Sequence, residues 1–116
     1  MIRILALLVV LVASPALAHS ELRGSEPSSG AVLVASPDRV ALRFNERVTV
    51  TTLRLRDGRG QIITLETSGG LDAASEKFGR LGTPLVPGAY DIDWAALSAD
   101  GHPIGGRIRF VIQGQQ

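Results

Sequence analysis

The feature that most limits the fold is the alternation of apolar and charged side chains over residues 90–94, within AYDIDWAAL (89–97). Tyr90, Ile92 and Trp94 fall on one side of an extended chain, and Asp91 and Asp93 fall on the other. This period of two is typical of a β-strand with one buried face. We therefore predict a strand here, with Tyr90 and Trp94 in the core rather than on a ligand-binding face.

Two other segments alternate in the same way, RVALRF (39–44) and GRIRFVI (106–112), and both are predicted strands. In the run VTVTTLRLRD the apolar parity changes near Thr51 and Thr52, which predicts a bulge or a bend. DGRG (57–60) predicts a turn, with QIITL as the hairpin partner that follows it.

The remaining segments are less regular, and none sustains a helical period. Residues 66–76 are predicted to form a loop that could hold one helical turn, and FGRLGTPLVPG a short strand followed by a Pro/Gly turn. Short strands separated by turns, without helices between them, indicate an all-β antiparallel sandwich or barrel.

Residues 1–18 (MIRILALLVVLVASPALA) have the layout of a secretory signal peptide. Arg3 gives a basic start, an apolar run follows, and Ala16-Leu17-Ala18 is a small-residue cleavage site. The apolar run is shorter than the roughly 20 residues of a spanning helix, although an uncleaved membrane anchor is the alternative. We expect cleavage after Ala18, export out of the cytoplasm, and one mature domain over residues 19–116; the resemblance described below implies the periplasm as its location.

Composition limits the partners and metals of that mature domain. Without Arg3 it has 11 basic and 11 acidic residues, and this balance argues against nucleic acid or an anionic membrane as partner. There is no cysteine, and the single methionine, Met1, belongs to the leader. Any metal site must therefore use nitrogen and oxygen, which favours Cu(II), Zn(II) or Ni(II) over Cu(I).

The chain has two histidines, and cleavage would place His19 at the new amino terminus. A terminal histidine can chelate a metal through its free α-amine, whose reference pKa is about 7.7–8.0, together with its ring Nδ1. The second lies in SADGHPIGG, where Asp100 and His102 would face one side of an extended segment. Gly101 permits a backbone turn, and Pro103 favours an extended residue before it.

These residues together make a candidate Cu(II) site with His19, Asp100 and His102 as ligands; zinc could use the same groups in a tetrahedral arrangement. Alone, an Asp-Gly-His sequence is a common exposed turn. Glu46 follows a predicted strand and is a candidate acceptor for a ligating imidazole. The alternative for Glu46 is an exposed turn carboxylate paired with Arg43 or Arg47.

The chain resembles CopC-type periplasmic copper-binding proteins of copper homeostasis and resistance. The resemblance rests on AHSELRGSEPSSGAVL, PDRVALRFNERV and LVPGAYDIDWAALSADGHPIGGRIRFVI. It implies a seven-stranded Greek-key β-sandwich, immunoglobulin-like in shape, that binds Cu(II). It also implies the amine and ring of His19, with Asp100 and His102, as ligands. Glu46 falls where the family has a glutamate near copper, in an FSE frame that here reads FNE; Asn45 replaces the small residue.

Some family members carry a methionine-rich segment for Cu(I), whereas residues 66–76 contain no methionine. We therefore expect a Cu(II)-only protein. We also expect a monomeric copper chaperone or sequestering protein without enzymatic turnover. The partner that the resemblance implies is a CopD-type inner-membrane copper transporter, on a separate chain. Two alternatives stay open, a small copper-dependent oxidative enzyme of the N-terminal-histidine type and a metal-free secreted interaction module.

Overall fold

The computed structural model describes residues 6, 8–10 and 19–114. Most of the predicted signal peptide, including the cleavage position at Ala18, lies outside the described residues. The described part of the chain contains eight strands and no helix, so the all-β prediction is confirmed. No helix in it is long and apolar enough to span a membrane. The strands are β1 (Leu22–Glu26), β2 (Val32–Leu33), β3 (Arg39–Arg56), β4 (Ile62–Ile63), β5 (Leu65–Thr67), β6 (Ala74–Leu81), β7 (Gly88–Leu97) and β8 (Pro103–Ile112).

The long strand β3 belongs to both layers of the fold. Its first half pairs antiparallel with β1 and β6, and β5 extends that layer. Its second half pairs antiparallel with β7 and β4, and β8 and β2 continue beyond β7. Only β2 and β8 run parallel among the paired strands described. The predicted bulge is confirmed, because the pairing of β3 with β7 shifts register between Val50 and Thr52.

The core lies between these layers and is built from the alternating strands. Phe44 of the first layer and Trp94 of the second meet edge to face, with ring centroids 5.4 Å apart. Tyr90 and Phe110 stack at the same centroid distance. The predicted inward residues are all buried: Val40, Leu42, Phe44, Tyr90, Ile92, Trp94, Ile108, Phe110 and Ile112.

The aspartates of β7 lie on the opposite, outward face. Arg109 grips Asp91 with two hydrogen bonds, of 2.9 and 3.0 Å, which hold the pKa of Asp91 below its usual value. Arg107 donates to Asp93 at 2.8 Å. Arg56 Nε lies 2.7 Å from the other Asp93 oxygen, in contact but not aligned for a hydrogen bond. The alternation of this strand therefore separates an aromatic core from a surface ladder of ion pairs.

Two local predictions need comparison with the structure. The turn at 57–60 and its hairpin are confirmed, since Gly60 N–H donates to the Asp57 carbonyl at 3.0 Å and Leu55 pairs with Ile63. The loop predicted over residues 66–76 is wrong at both ends. Glu66 and Thr67 lie in β5, while Ala74 begins β6. None of these misassigned residues is buried, and the more covered face of β6 carries Lys77 and Gly79 rather than large apolar side chains, so the sequence shows no alternation to detect.

Candidate metal centre

The loop between β7 and β8, residues 98–102, presents Asp100 and His102 at one end of the sandwich. Ser98 N–H donates to the His102 carbonyl at 2.8 Å, and Gly101 N–H donates to the Ser98 carbonyl at 2.9 Å. Gly101 has φ of 86°, a left-handed conformation that glycine adopts without steric strain. The loop is thus a closed turn whose shape requires the glycine.

Asp100 and His102 converge, but not in the way expected from an extended segment. His102 Nδ1 lies 2.9 Å from Asp100 Oδ2, and both side chains are largely exposed. The expectation of an extended segment is wrong, because the backbone hydrogen bonds to Ser98 curl the chain into a turn. The turn brings the carboxylate and the imidazole together, and it leaves His102 Nε2 outside that contact.

Ser98 forms hydrogen bonds with both Asp100 and His102. Its hydroxyl is buried, donates to Asp100 Oδ1, and accepts the His102 backbone N–H at 3.0 Å. The hydrogen bond from Ser98 has the largest effect on the pKa of Asp100 and the one from His102 the next largest; together they lower it to about 2. Asp100 is therefore an anionic oxygen donor throughout the physiological pH range.

The segment that begins with His19 lies against the same loop. Ser20 is only 7% exposed, although His19 and Glu21 on either side of it are exposed. Its hydroxyl accepts the Ala99 N–H at 3.2 Å and donates to Glu46 Oε1. Ser20, the residue after His19, is therefore hydrogen-bonded to Ala99, the residue before Asp100.

Glu46 and Asn45 reach this place because β3 is irregular here. The pairing of β3 with β6 shifts register between Arg43 and Val48, so these residues fall in a bulged part of the strand rather than after its end. Among the ion pairs between described residues, none involves Glu46. Arg47 instead donates to the Ala73 carbonyl at 3.2 Å. The partner of Glu46 is Ser20, and its role as an acceptor for a ligating imidazole stays a prediction.

The segments that carry His19, Glu46, Asp100 and His102 lie at one end of the fold, and the direct side-chain contact among these four residues is that of Asp100 with His102. Within residues 6, 8–10 and 19–114, no three histidine, aspartate or glutamate side chains form a group that could hold a metal. In the full chain the nitrogen of His19 is also an amide bonded to Ala18, and an amide N–H is not the free amine that the chelate needs. The donors themselves, imidazole nitrogen and carboxylate oxygen, suit Cu(II).

Sequence reasoning missed Ser20 and Ser98 as parts of this site. Their hydroxyls join groups that are distant or locally folded, and serine shows no such partner by its type. A usable signal was present for Ser98, since a serine at the end of a strand can hydrogen-bond to nearby backbone groups and close a turn. Asn45 also carried a signal, because asparagine is disfavoured in strands.

The CopC domain family model matches residues 22–113, a range that includes Glu46, Asp100 and His102 and begins just after His19. Copper resistance protein C of Escherichia coli is 33% identical over 116 residues, covering 91% of this chain and 90% of that protein.

Solved structures with the same fold point to the same family. The crystal structure of CopC from Methylosinus trichosporium OB3b superposes with a TM-score of 0.71 at 27% identity, covering 84% of this chain and 97% of that one. PcoC from Escherichia coli, described as a methionine-rich copper resistance protein, gives 0.68 at 28% identity, covering 83% and 100%. The domain match, the full-length relative and the shared fold together establish that the chain belongs to the CopC family.

Proposed function

We propose that the processed protein binds Cu(II) in the periplasm and carries or sequesters it, without catalytic turnover. Relatives named for copper resistance support a copper-related function. The ligands we propose are the amine and ring of His19, the carboxylate of Asp100 and the ring of His102. Copper is the cargo of this protein, and a CopD-type inner-membrane transporter is the partner we propose for its delivery.

The observation that carries this proposal is the contact of Ser20 with Ala99. It joins the neighbour of His19 to the neighbour of Asp100, although the two segments are 79 positions apart in the chain. The fold therefore brings the segment that begins with His19 and the 98–102 loop to the same end of the sandwich. A chelate at His19 would form beside an ionised Asp100 that already contacts His102.

Export would create the site as well as place it. Cleavage after Ala18 converts the amide nitrogen of His19 into an amine, which can bind a divalent ion together with ring Nδ1. Two imidazoles, an amine and a carboxylate form a nitrogen and oxygen donor set for which Cu(II) is the strongest divalent binder of the first row. Before cleavage, the chain lacks one donor of this set.

The test is a competition titration with a Cu(II) chelator of known affinity. The full-length chain is expressed in a bacterial host, and the processed protein is isolated from the periplasm, with its terminus verified by mass spectrometry. We expect one Cu(II) per chain and a large loss in His102→Ala. Gln61→Ala is a matched control, because exposed Gln61 follows the turn at the opposite end of β7.

Absence of Cu(II) binding by protein that begins at His19 would refute the proposal, as would unchanged affinity in His102→Ala. The proposal of no turnover is tested separately with the copper-loaded protein, a reductant, hydrogen peroxide and a polysaccharide. Released oxidised sugars would contradict it and favour the oxidative enzyme.

A further inference from the structure

We propose that Asn45 is a positioning residue for the metal centre, holding the terminal segment 19–21 in the place where His19 can bind copper. This inference rests on the proposed function and adds to it a residue that does not touch the metal. Its basis is a set of three hydrogen bonds between Asn45 and the backbone of residues 19–21, named here the Asn45 clamp.

The clamp uses both the backbone and the side chain of Asn45. Its backbone N–H donates to the Glu21 carbonyl at 3.1 Å. Its side-chain Oδ1 accepts the Glu21 N–H at 2.8 Å, and its Nδ2 donates to the His19 carbonyl at 2.9 Å. Asn45 therefore binds Glu21 at both backbone polar groups and also binds the carbonyl of the candidate ligand residue.

A carboxamide is suited to this position because it carries the same donor and acceptor as a peptide group. The β1–β3 ladder ends at Leu22 and Phe44, just before the bulged part of β3. Beyond that pair, the Asn45 side chain supplies the hydrogen bonds that another peptide group of a regular strand would supply. The terminal segment is thereby held as a continuation of β1, although it is not part of the strand.

Such a device has a clear effect on binding. Chain termini are mobile unless they are tied down, and His19 is exposed, with its own side chain outside the core. If only a fraction of molecules holds the terminus in the binding geometry, the apparent dissociation constant rises by the inverse of that fraction. The clamp keeps that fraction high before copper arrives, so less ordering is needed on binding.

The Ser20 contacts alone do not provide the same restraint. The hydrogen bonds of the Ser20 hydroxyl with Glu46 and Ala99 restrain the side chain of Ser20. The His19 carbonyl, which belongs to the peptide bond between His19 and Ser20, accepts its hydrogen bond from Asn45. Rotation of the His19 backbone is therefore limited by the clamp.

The proposal is tested with Asn45→Ala, which removes both side-chain bonds, and Asn45→Ser, which is too short to make both. Gln61→Ala again serves as the control, since it shortens an exposed amide at the other end of the second layer. The processed proteins are compared by Cu(II) competition titration and by electron paramagnetic resonance. The copper-free proteins are compared by amide hydrogen exchange at Glu21.

We expect the dissociation constant for Cu(II) to rise by about tenfold in Asn45→Ala, equivalent to about 1.4 kcal/mol. The nitrogen hyperfine pattern should be unchanged at saturation, because the ligands remain. The Glu21 amide should exchange at least about tenfold faster in the copper-free variant, as expected for a lost hydrogen bond. Asn45→Ser should change in the same direction, and Gln61→Ala should match the parent protein.

An unchanged dissociation constant in both Asn45 variants would overturn the proposal, whatever the exchange rates. A changed hyperfine pattern at saturation would also overturn it, because Asn45 would then affect the ligand set itself. If the parent protein binds no Cu(II), the proposed function fails instead. Unchanged Glu21 exchange would still overturn the clamp independently of copper.

Discussion

Replacing Ser20 with alanine should destabilise the copper-free protein by about 2 kcal/mol, because this one hydroxyl connects three parts of the fold. Ser20 is 7% exposed, accepts the Ala99 N–H at 3.2 Å and donates to Glu46. A neutral hydrogen bond contributes about 0.5–1.5 kcal/mol, and one to a charged group about 1.5–3 kcal/mol. Glu46 is half-buried and can recover part of its loss from water, so the lower part of the combined range applies.

Urea unfolding followed by the fluorescence of Trp94, the single tryptophan of the chain, measures this directly. With an m-value of about 1.5 kcal/mol/M, a loss of about 2 kcal/mol lowers the midpoint by about 1.3 M. Ser75→Ala is the matched control, since Ser75 is exposed on β6 and should change stability by less than about 0.5 kcal/mol. A Ser20→Ala midpoint equal to that of the control would refute the inference that Ser20 connects these segments.

Ser98→Ala should raise the pKa of Asp100 from about 2 toward its ordinary value of 3.8, as followed by the carboxyl carbon in an NMR titration. Because the folded-state pKa is the lower one, the stabilisation from Asp100 is present above pH 3.8 and is lost as the pH falls toward 2. An Asp100 titration midpoint in Ser98→Ala equal to that of the parent protein would contradict the role of Ser98. Ile92→Ala, at a fully buried position of β7, should cost about 3–4 kcal/mol in urea unfolding, and a cost below about 1 kcal/mol would contradict its place in the core. His102→Ala should weaken Cu(II) binding by more than about 100-fold, since removing even an outer partner of a ligand costs about 10–100-fold.

Much of the fold could be predicted because its central strands each have one buried face. Tyr90, Ile92 and Trp94 alternate with aspartates, so the buried side of β7 is visible in the sequence. Residues 66–67 of β5 and 74–76 of β6 were missed because none of them is buried, and the more covered face of β6 carries Lys77 and Gly79 rather than large apolar side chains. In such strands, polar residues occupy successive positions and leave no period of two. The described residues also contain eight strands where the resemblance implies seven, and two of them, β2 and β4, have only two residues each.

The candidate site divides in the same way between local and long-range features. Asp100, Gly101 and His102 are adjacent, so their convergence could be predicted, although the structure achieves it with a turn. Ser20 could not be assigned, because the partners of its hydroxyl, Glu46 and Ala99, are 26 and 79 positions away. A serine that bonds across the fold has the same sequence signature as one that faces water.

We propose that removal of the signal peptide frees the amine of His19 and so creates a Cu(II) site with Asp100 and His102. Electron paramagnetic resonance of the Cu(II)-loaded processed protein tests it most directly, compared with protein that carries one extra alanine before His19. We expect hyperfine coupling to three nitrogens in the processed protein, from the amine and two imidazoles. The extended protein should lose the amine coupling and bind Cu(II) weaker by several orders of magnitude, because amine and ring can no longer chelate together. Identical spectra and affinities for the two proteins would contradict the claim.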